Sequence, residues 1–135
     1  MKSSLSKLVK VIRWIPSLFI GCCSWILSSK SKVPMPDFKS SDKVVHLICF
    51  AGFSFFTAFA FFDLSKPGVK KWDKAKRILL PSLFVSIYGI IDEIHQSFVP
   101  GRSCSFFDWC ADTLGAVIGA VLFLILGRIG VRVES

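Results

Sequence analysis

The sequence predicts an all-α fold: an integral membrane four-helix bundle with both termini in the cytoplasm. Three observations support this fold class. The 135-residue chain is 53% hydrophobic and has a mean hydropathy of +0.61, which is too apolar for a soluble domain of this size. Four apolar runs approach the roughly twenty residues that a helix needs to cross a bilayer core. The alternation typical of membrane β-strands does not occur. We therefore expect residues 1–135 to form one membrane domain.

The first two predicted helices cover about residues 9–27 and 44–62. Arg13 lies near the start of the first run, and the apolar residues continue past Cys22. Because of these two features, we expect a retained helix rather than a cleaved signal peptide. The second run is continuous and rich in Phe, with His46 as its only strongly polar member.

The third and fourth predicted helices cover about residues 77–94 and 109–127. Between them, Pro100-Gly101 fits a tight turn with Pro at the second position and Gly at the third. Ser105 and Asp108 fit a Ser-x-x-Asp capping box, which pairs side chains with free backbone N–H groups at a helix start. We therefore expect the fourth helix to begin just after Ser105.

The distribution of cations predicts the orientation. Twelve of the 17 Lys and Arg residues lie at the two termini and in the second connection, and five lie in the first and third connections. Because Lys and Arg are enriched in cytoplasmic segments, we expect the first and third connections to face outward. The cytoplasmic set is Lys2, Lys7, Lys10, Arg13, Lys66, Lys70, Lys71, Lys74, Lys76, Arg77, Arg128 and Arg132. The outer set is Lys30, Lys32, Lys39, Lys43 and Arg102.

The formal net charge of +8 does not indicate nucleic-acid binding in this chain. The cations flank apolar runs and are not spread over a polar surface, so membrane topology accounts for them. We expect membrane lipids as partners, no nucleic acid, and a multi-pass location in the cytoplasmic (inner) membrane.

Polar residues concentrate at the outward ends of three predicted helices. Ionised groups persist at membrane depth when they are paired, hydrated or used in function. Three pairs are spaced so that both members share a helical face: Asp42 with His46, Glu93 with Gln96, and Asp108 with Asp112. Arg102 lies in the turn between the third and fourth predicted helices. Its planar guanidinium is able to hold two carboxylates, or a carboxylate and a ligand phosphate. The candidate ligand-binding residues or polar network are Asp42, His46, Glu93, Gln96, Arg102, Asp108 and Asp112.

These residues also have structural interpretations. Asp42 and Asp108 fit acids that stabilise helix N-termini. Arg102 fits a structural ion pair with Glu93 or Asp112.

Helix packing accounts for other motifs. His46 also fits a hydrogen-bonded packing histidine. Gly115 and Gly119 form a G-x-x-x-G motif that allows close helix packing. No nucleophile motif or metal-ligand spacing occurs in the sequence, so we assign no catalytic residue, no metal site and no cofactor.

Short motifs lie in a fixed order around the four apolar runs. They are Ser28-Ser29, Pro34, Pro36, Asp42-Lys43-Val44-Val45-His46, Glu93-x-x-Gln96, Pro100-Gly101-Arg102, Asp108 and Asp112-Thr113-x-Gly115-x-x-x-Gly119. In these motifs the chain resembles the VanZ-like family, over about residues 12–126. The family's namesake is associated with low-level resistance to teicoplanin, a lipid-tailed glycopeptide antibiotic, and the resemblance brings no defined reaction with it. Family members often carry Asn at the position of Asp112.

Three classes of function remain open. We expect a cell-envelope membrane protein that binds or modulates a lipid-linked or amphiphilic ligand, such as a glycopeptide, through its outward-facing polar cluster. One alternative is a small membrane enzyme that uses His46, Glu93 or an Asp as general acid or base on a lipid-linked substrate. The other is a structural or assembly subunit whose polar network only locks helices together. An open cavity with unpaired carboxylates would favour binding or catalysis.

Overall fold

The computed structural model describes the backbone of residues 2–62 and 71–133, and the side chains of residues 7–62 and 72–127. Helices make up most of this part of the chain, and it contains no strand, so the all-α prediction is confirmed. The second-connection residues 65–70, which carry some of the predicted cytoplasmic cations, lie outside the described residues. The helices are α1 (Lys2–Ile12), α2 (Ile15–Ser28), α3 (Ser41–Phe61), α4 (Lys71–Gln96) and α5 (Phe106–Val133).

Four helical segments within the described residues are long and apolar enough to cross a membrane, which confirms the predicted number of spans. They extend beyond most ends of the apolar runs because polar residues continue the helices. Large apolar side chains cover much of the bundle's surface, as expected for contact with lipid. The segments are Lys7–Ser28, Ser41–Phe61, Trp72–Gln96 and Phe106–Gly127.

The first span consists of two helices because proline interrupts it. Pro16 lies at the start of α2 and has no N–H to donate to the carbonyl of Ile12, four residues earlier. At this break, Arg13 donates to the carbonyl oxygen of Phe62, and its guanidinium lies 4.6 Å from the ring centroid of Phe59. The break is thus attached to the end of α3.

Helices α3 and α5 pack with their backbones in direct contact. A Cβ atom at Gly115 or Gly119 would overlap the carbonyl oxygen of Leu47 or Ala51, respectively. Helix α4 packs against both α3 and α5, and α2 packs against α3 and α4. The buried core between the helices is formed by Phe50, Phe53, Val85 and Ala116, with Ile20 and Tyr88 packed against it.

The connection between α4 and α5 has the predicted turn and helix start. Arg102 N donates to Val99 O at 3.0 Å, and Gly101 has a φ of 80°, as the third position of a type II turn requires. Helix α5 begins directly after Ser105, whose Oγ accepts from Asp108 N at 3.2 Å.

The end of the bundle formed by the C-termini of α2 and α4 and the N-termini of α3 and α5 is called the polar end below. The cation distribution predicts that it faces outward.

Candidate functional site

The polar end contains a cluster of polar side chains drawn from four helices and a turn. Four of its members are almost completely buried: Asp92, Glu93, Gln96 and Asp112 have exposed fractions of 1%, 2%, 2% and 0%. All seven residues predicted from the sequence lie at this end, and the structure adds others. The group, called the polar network below, comprises Ser28, Asp42, Lys43, His46, Asp92, Glu93, Gln96, Arg102, Ser105, Asp108 and Asp112.

His46 and Asp112 join α3 to α5 at the centre of the network. Nδ1 of His46 lies 2.8 Å from Oδ1 of Asp112. The other carboxylate oxygen, Oδ2, is buried and has no hydrogen-bond partner among the described residues. It faces α4 at Gly89, where an added Cβ would lie 3.1 Å from it. A glycine at this position leaves room for the Asp112 carboxylate between α4 and α5.

Glu93 joins α4 to the first turn of α5. Its Oε2 accepts a hydrogen bond from Ser105 N at 2.7 Å. Because backbone N–H groups at a helix start carry partial positive charge, a carboxylate is favoured there. Its second oxygen, Oε1, has only a long contact of 3.5 Å with Nε2 of Gln96. One oxygen of this buried carboxylate is thus firmly held, and the other is weakly held.

Asp92 is held by groups from two helices. Ser28 Oγ on α2 donates to its Oδ1 at 2.6 Å, and Gln96 Nε2, one turn along α4, donates to its Oδ2 at 3.2 Å. Asp92 is not among the site residues predicted from the sequence. The spacing of four between Asp92 and Gln96 was the local signal that both share a face, whereas the Ser28 contact depends on the tertiary fold.

Arg102 contacts an amide rather than a carboxylate. Its Nε donates to Oε1 of Gln96 at 3.2 Å, and a terminal nitrogen donates to the same atom. Among the described residues it has no ion-pair contact with Glu93 or Asp112, the two partners that the sequence suggested. Gln96 occupies the intervening position because it is the last residue of α4, directly facing the turn. The half-buried guanidinium keeps further N–H donors for another group.

Lys43 forms the rim of the network. Its ammonium lies 2.9 Å from Oδ2 of Asp42 and 2.8 Å from Oδ1 of Asp108. The Lys43 and Asp42 side chains are 39% and 47% exposed, so water and salt screen their attraction. Sequence spacing placed Asp42 with His46, and Asp108 with Asp112, on shared helical faces. In the structure Asp42 and Asp108 both contact Lys43, and His46 contacts Asp112.

A small cavity of about 60 Å³ adjoins the network on the side of α2; most of its wall is apolar, and it is called the polar cavity below for the polar side chains that line the rest. Arg102 and other hydrogen-bond donors line one part of it, the Asp92 carboxylate lines another, and the remaining wall is apolar. Its lining includes Ser28, Met35, His46, Asp92, Gln96 and Arg102.

A larger apolar groove of about 410 Å³ lies one helical turn deeper along the same helices. Trp25 and Tyr88 border the groove, whereas Ser28 and Asp92, three and four residues further along α2 and α4, border the polar cavity. The remaining walls of the groove are almost entirely apolar, and they include Trp14, Leu18, Phe53 and Phe84.

A third cavity of about 200 Å³ lies between α4 and α5. Glu93 lines it together with apolar residues such as Ile90 and Trp109. Asp92 and Glu93 therefore border cavities on two sides of α4.

Comparison with known proteins identifies the family. A family model described as VanZ/LLP1 matches residues 3–127, a range that contains every member of the polar network. Neither the comparison with curated proteins nor that with solved structures found a significant match. Since the matched range covers nearly the whole chain, the chain belongs to the VanZ/LLP1 family.

Proposed function

We propose that this protein binds an amphiphilic, lipid-linked ligand of the cell envelope at its polar end and thereby modulates the action of lipid-tailed glycopeptides such as teicoplanin. The polar part of the ligand occupies the polar cavity and contacts Arg102. Its apolar chain lies in the groove between α2 and α4. The expected outward orientation of the polar end gives the site access to ligands of the outer leaflet and to antibiotics.

The observation that carries this proposal is the position of the two cavities. An amphiphile needs a pocket for its polar group and an adjacent channel for its apolar chain. Here one helical turn, about 5.4 Å, separates the residues that border the polar cavity from those that border the apolar groove. The apolar groove, at about 410 Å³, is within the roughly 300 to 1,000 Å³ range of ligand pockets.

Arg102 supplies the recognition chemistry at the polar cavity. Gln96 holds the guanidinium of Arg102 through its amide oxygen. Within the described residues, no carboxylate forms an ion pair with this guanidinium. An arginine held in this way is suited to a phosphate or carboxylate, which it binds through paired N–H donors. Phosphate and carboxylate are both common polar groups of lipid-linked envelope molecules and glycopeptides.

The proposal is tested by expression in a susceptible Gram-positive host. The protein should raise the inhibitory concentration of a lipid-tailed glycopeptide more than that of a tail-less one, because an embedded protein acts at the lipid surface where the tail inserts. Arg102→Ala should remove this difference at unchanged membrane abundance. Lys30→Ala, which removes an exposed cation from the same end, should retain it. Equal shifts for both antibiotics, or a full shift in Arg102→Ala, would contradict the proposal.

The groove is tested separately. Leu18→Trp adds bulk to the wall of the apolar groove, whereas Phe19→Trp adds it to the neighbouring exposed position outside the groove. The first variant should lose the phenotype, and the second should keep it. If the network only locks helices together, phenotype and membrane abundance should fall in parallel in all variants that disrupt it.

A further inference from the structure

Three metal-ligating side chains converge within the network from three different helices. His46 on α3, Glu93 on α4 and Asp112 on α5 each offer a ligand atom, and these atoms lie within 4.8 Å of one another. This arrangement could not be predicted from the sequence, because the three residues are separated by 47 and 19 positions and match no metal-binding spacing.

Asp112 supplies an independent indication that a ligand belongs here. It is 0% exposed, and its Oδ2 has no hydrogen-bond donor among the described residues. A buried polar atom without a partner is costly, so such an atom calls for a partner such as an ion or water. This oxygen lies beside Gly89, one helical turn before Glu93, and therefore faces the converging cluster.

The local charge balance points in the same direction. Asp92, Glu93 and Asp112 are all buried, and among the described side chains only His46 is a basic group in ion-pair contact with any of them. Arg102 contacts Gln96, which in turn contacts Asp92 and Glu93. Buried carboxylates need compensating positive charge, and a divalent cation between three helices would provide it.

We propose that His46 Nδ1 and one carboxylate oxygen each from Glu93 and Asp112 bind a divalent transition-metal ion. One imidazole with two carboxylates suits Mn²⁺, Fe²⁺ or Zn²⁺ better than Ca²⁺ or Mg²⁺, which take oxygen ligands. His46 Nδ1 and Asp112 Oδ1 are 2.8 Å apart, close to the separation of about 3 Å between neighbouring ligand atoms with metal bonds of about 2.0 to 2.1 Å. The proton of this hydrogen bond is released to solvent when the metal binds, because metal ligands must be deprotonated.

Glu93 can join this site without releasing α5. Its Oε2 remains on Ser105 N, while the weakly held Oε1 turns toward the metal. Gln96, which contacts both Glu93 and Asp92, then acts in the outer shell that orients metal-binding carboxylates. Three protein ligands leave coordination positions open, as in sites that bind a further ligand at the metal. This inference does not depend on the proposed function.

Mn²⁺ is the probe of choice because the five free cysteines, four of them exposed, favour softer ions such as Zn²⁺. The full chain is purified in nonionic detergent, treated with EDTA and titrated with MnCl₂. Bound Mn²⁺ is measured by electron paramagnetic resonance and by elemental analysis, and unfolding is followed by a thermal shift assay. We expect one Mn²⁺ ion per chain and a rise in melting temperature that EDTA reverses.

Variants locate the site. His46→Ala and Asp112→Asn should each lose the bound ion and the thermal shift. His95→Ala and Asp108→Asn should keep both, because they remove the other histidine and a rim acid that do not belong to the cluster. If the site variants do not fold, the wild-type titration decides. The absence of Mn²⁺ binding and of any thermal shift at millimolar concentration, or equal binding in site and control variants, would overturn the proposal.

Discussion

The Glu93 carboxylate on α4 accepts a hydrogen bond from the backbone N–H of Ser105 at 2.7 Å and so caps the first turn of α5. In a capping box the third residue of the helix returns to this N–H. Here that residue, Asp108, pairs instead with Lys43 on α3 at 2.8 Å. The start of α5 is therefore fixed by side chains of two other helices. These two contacts belong to the polar network and also hold the helices of the bundle together.

Replacing Glu93 should destabilise the protein through the start of α5. Glu93→Ala removes a hydrogen bond to a charged acceptor and should lower the free energy of unfolding by about 1.5 to 3 kcal/mol. Glu93→Gln keeps an acceptor and should lose less. Unfolding in detergent measures stability, and hydrogen exchange of the first-turn amides of α5 reports the location. Asp37→Ala, at an exposed acid of the first connection, serves as the control; an equal loss there would contradict this role.

The contact between Arg102 and Gln96 should appear as an energetic coupling. Arg102→Ala and Gln96→Ala remove the two sides of one interaction, so their effects on stability should be non-additive by about 0.5 to 3 kcal/mol. Arg102→Ala and Asp112→Asn should be close to additive, because these side chains are not in contact. The measurement is a double-mutant cycle of unfolding free energies. Stronger coupling with Asp112 would show that the arginine pairs with the acid instead.

The features that could be predicted from the sequence are mostly local. The four spans follow from runs of apolar residues, and the turn at Pro100-Gly101 follows from the φ angles of proline and glycine. The helix start after Ser105 follows from its hydroxyl, which accepts the Asp108 N–H at 3.2 Å. Each of these depends on residues that are close together in the sequence.

The pairings inside the network could not be predicted in the same way. Helical spacing indicated that Asp108 and Asp112 share a face, but their partners Lys43 and His46 come from α3 through the packing of two helices. The contact of Arg102 with an amide was unexpected because charge alone favours a carboxylate. Such choices depend on the distance between helices, which the small residues at their contacts determine.

The contact between α3 and α5 should tolerate no side chain at its glycines. Gly115→Ala and Gly119→Ala place a Cβ against the carbonyl oxygens of Leu47 and Ala51. Forcing an atom into such a contact costs about 1 to 3 kcal/mol or more, so both variants should show lower thermal stability and lower membrane abundance. Gly52→Ala is the control, since its Cβ would meet only Ile20 Cδ1 at 3.9 Å. Normal stability of all three variants would mean that the helices are further apart.

The proposed function requires that the polar end faces outward. Twelve of 17 cations lie on the side of the termini and the second connection, so the polar end should face outward by the positive-inside rule. In a background with the five native cysteines replaced by serine, Ser103→Cys should react with an impermeant thiol reagent in intact cells. Asp73→Cys, at the opposite end of α4, should react only after the membrane is opened. Labelling of Asp73→Cys in intact cells, with protection of Ser103→Cys, would place the polar end in the cytoplasm. A ligand of the outer leaflet could then not reach Arg102, whereas the metal site would be unaffected.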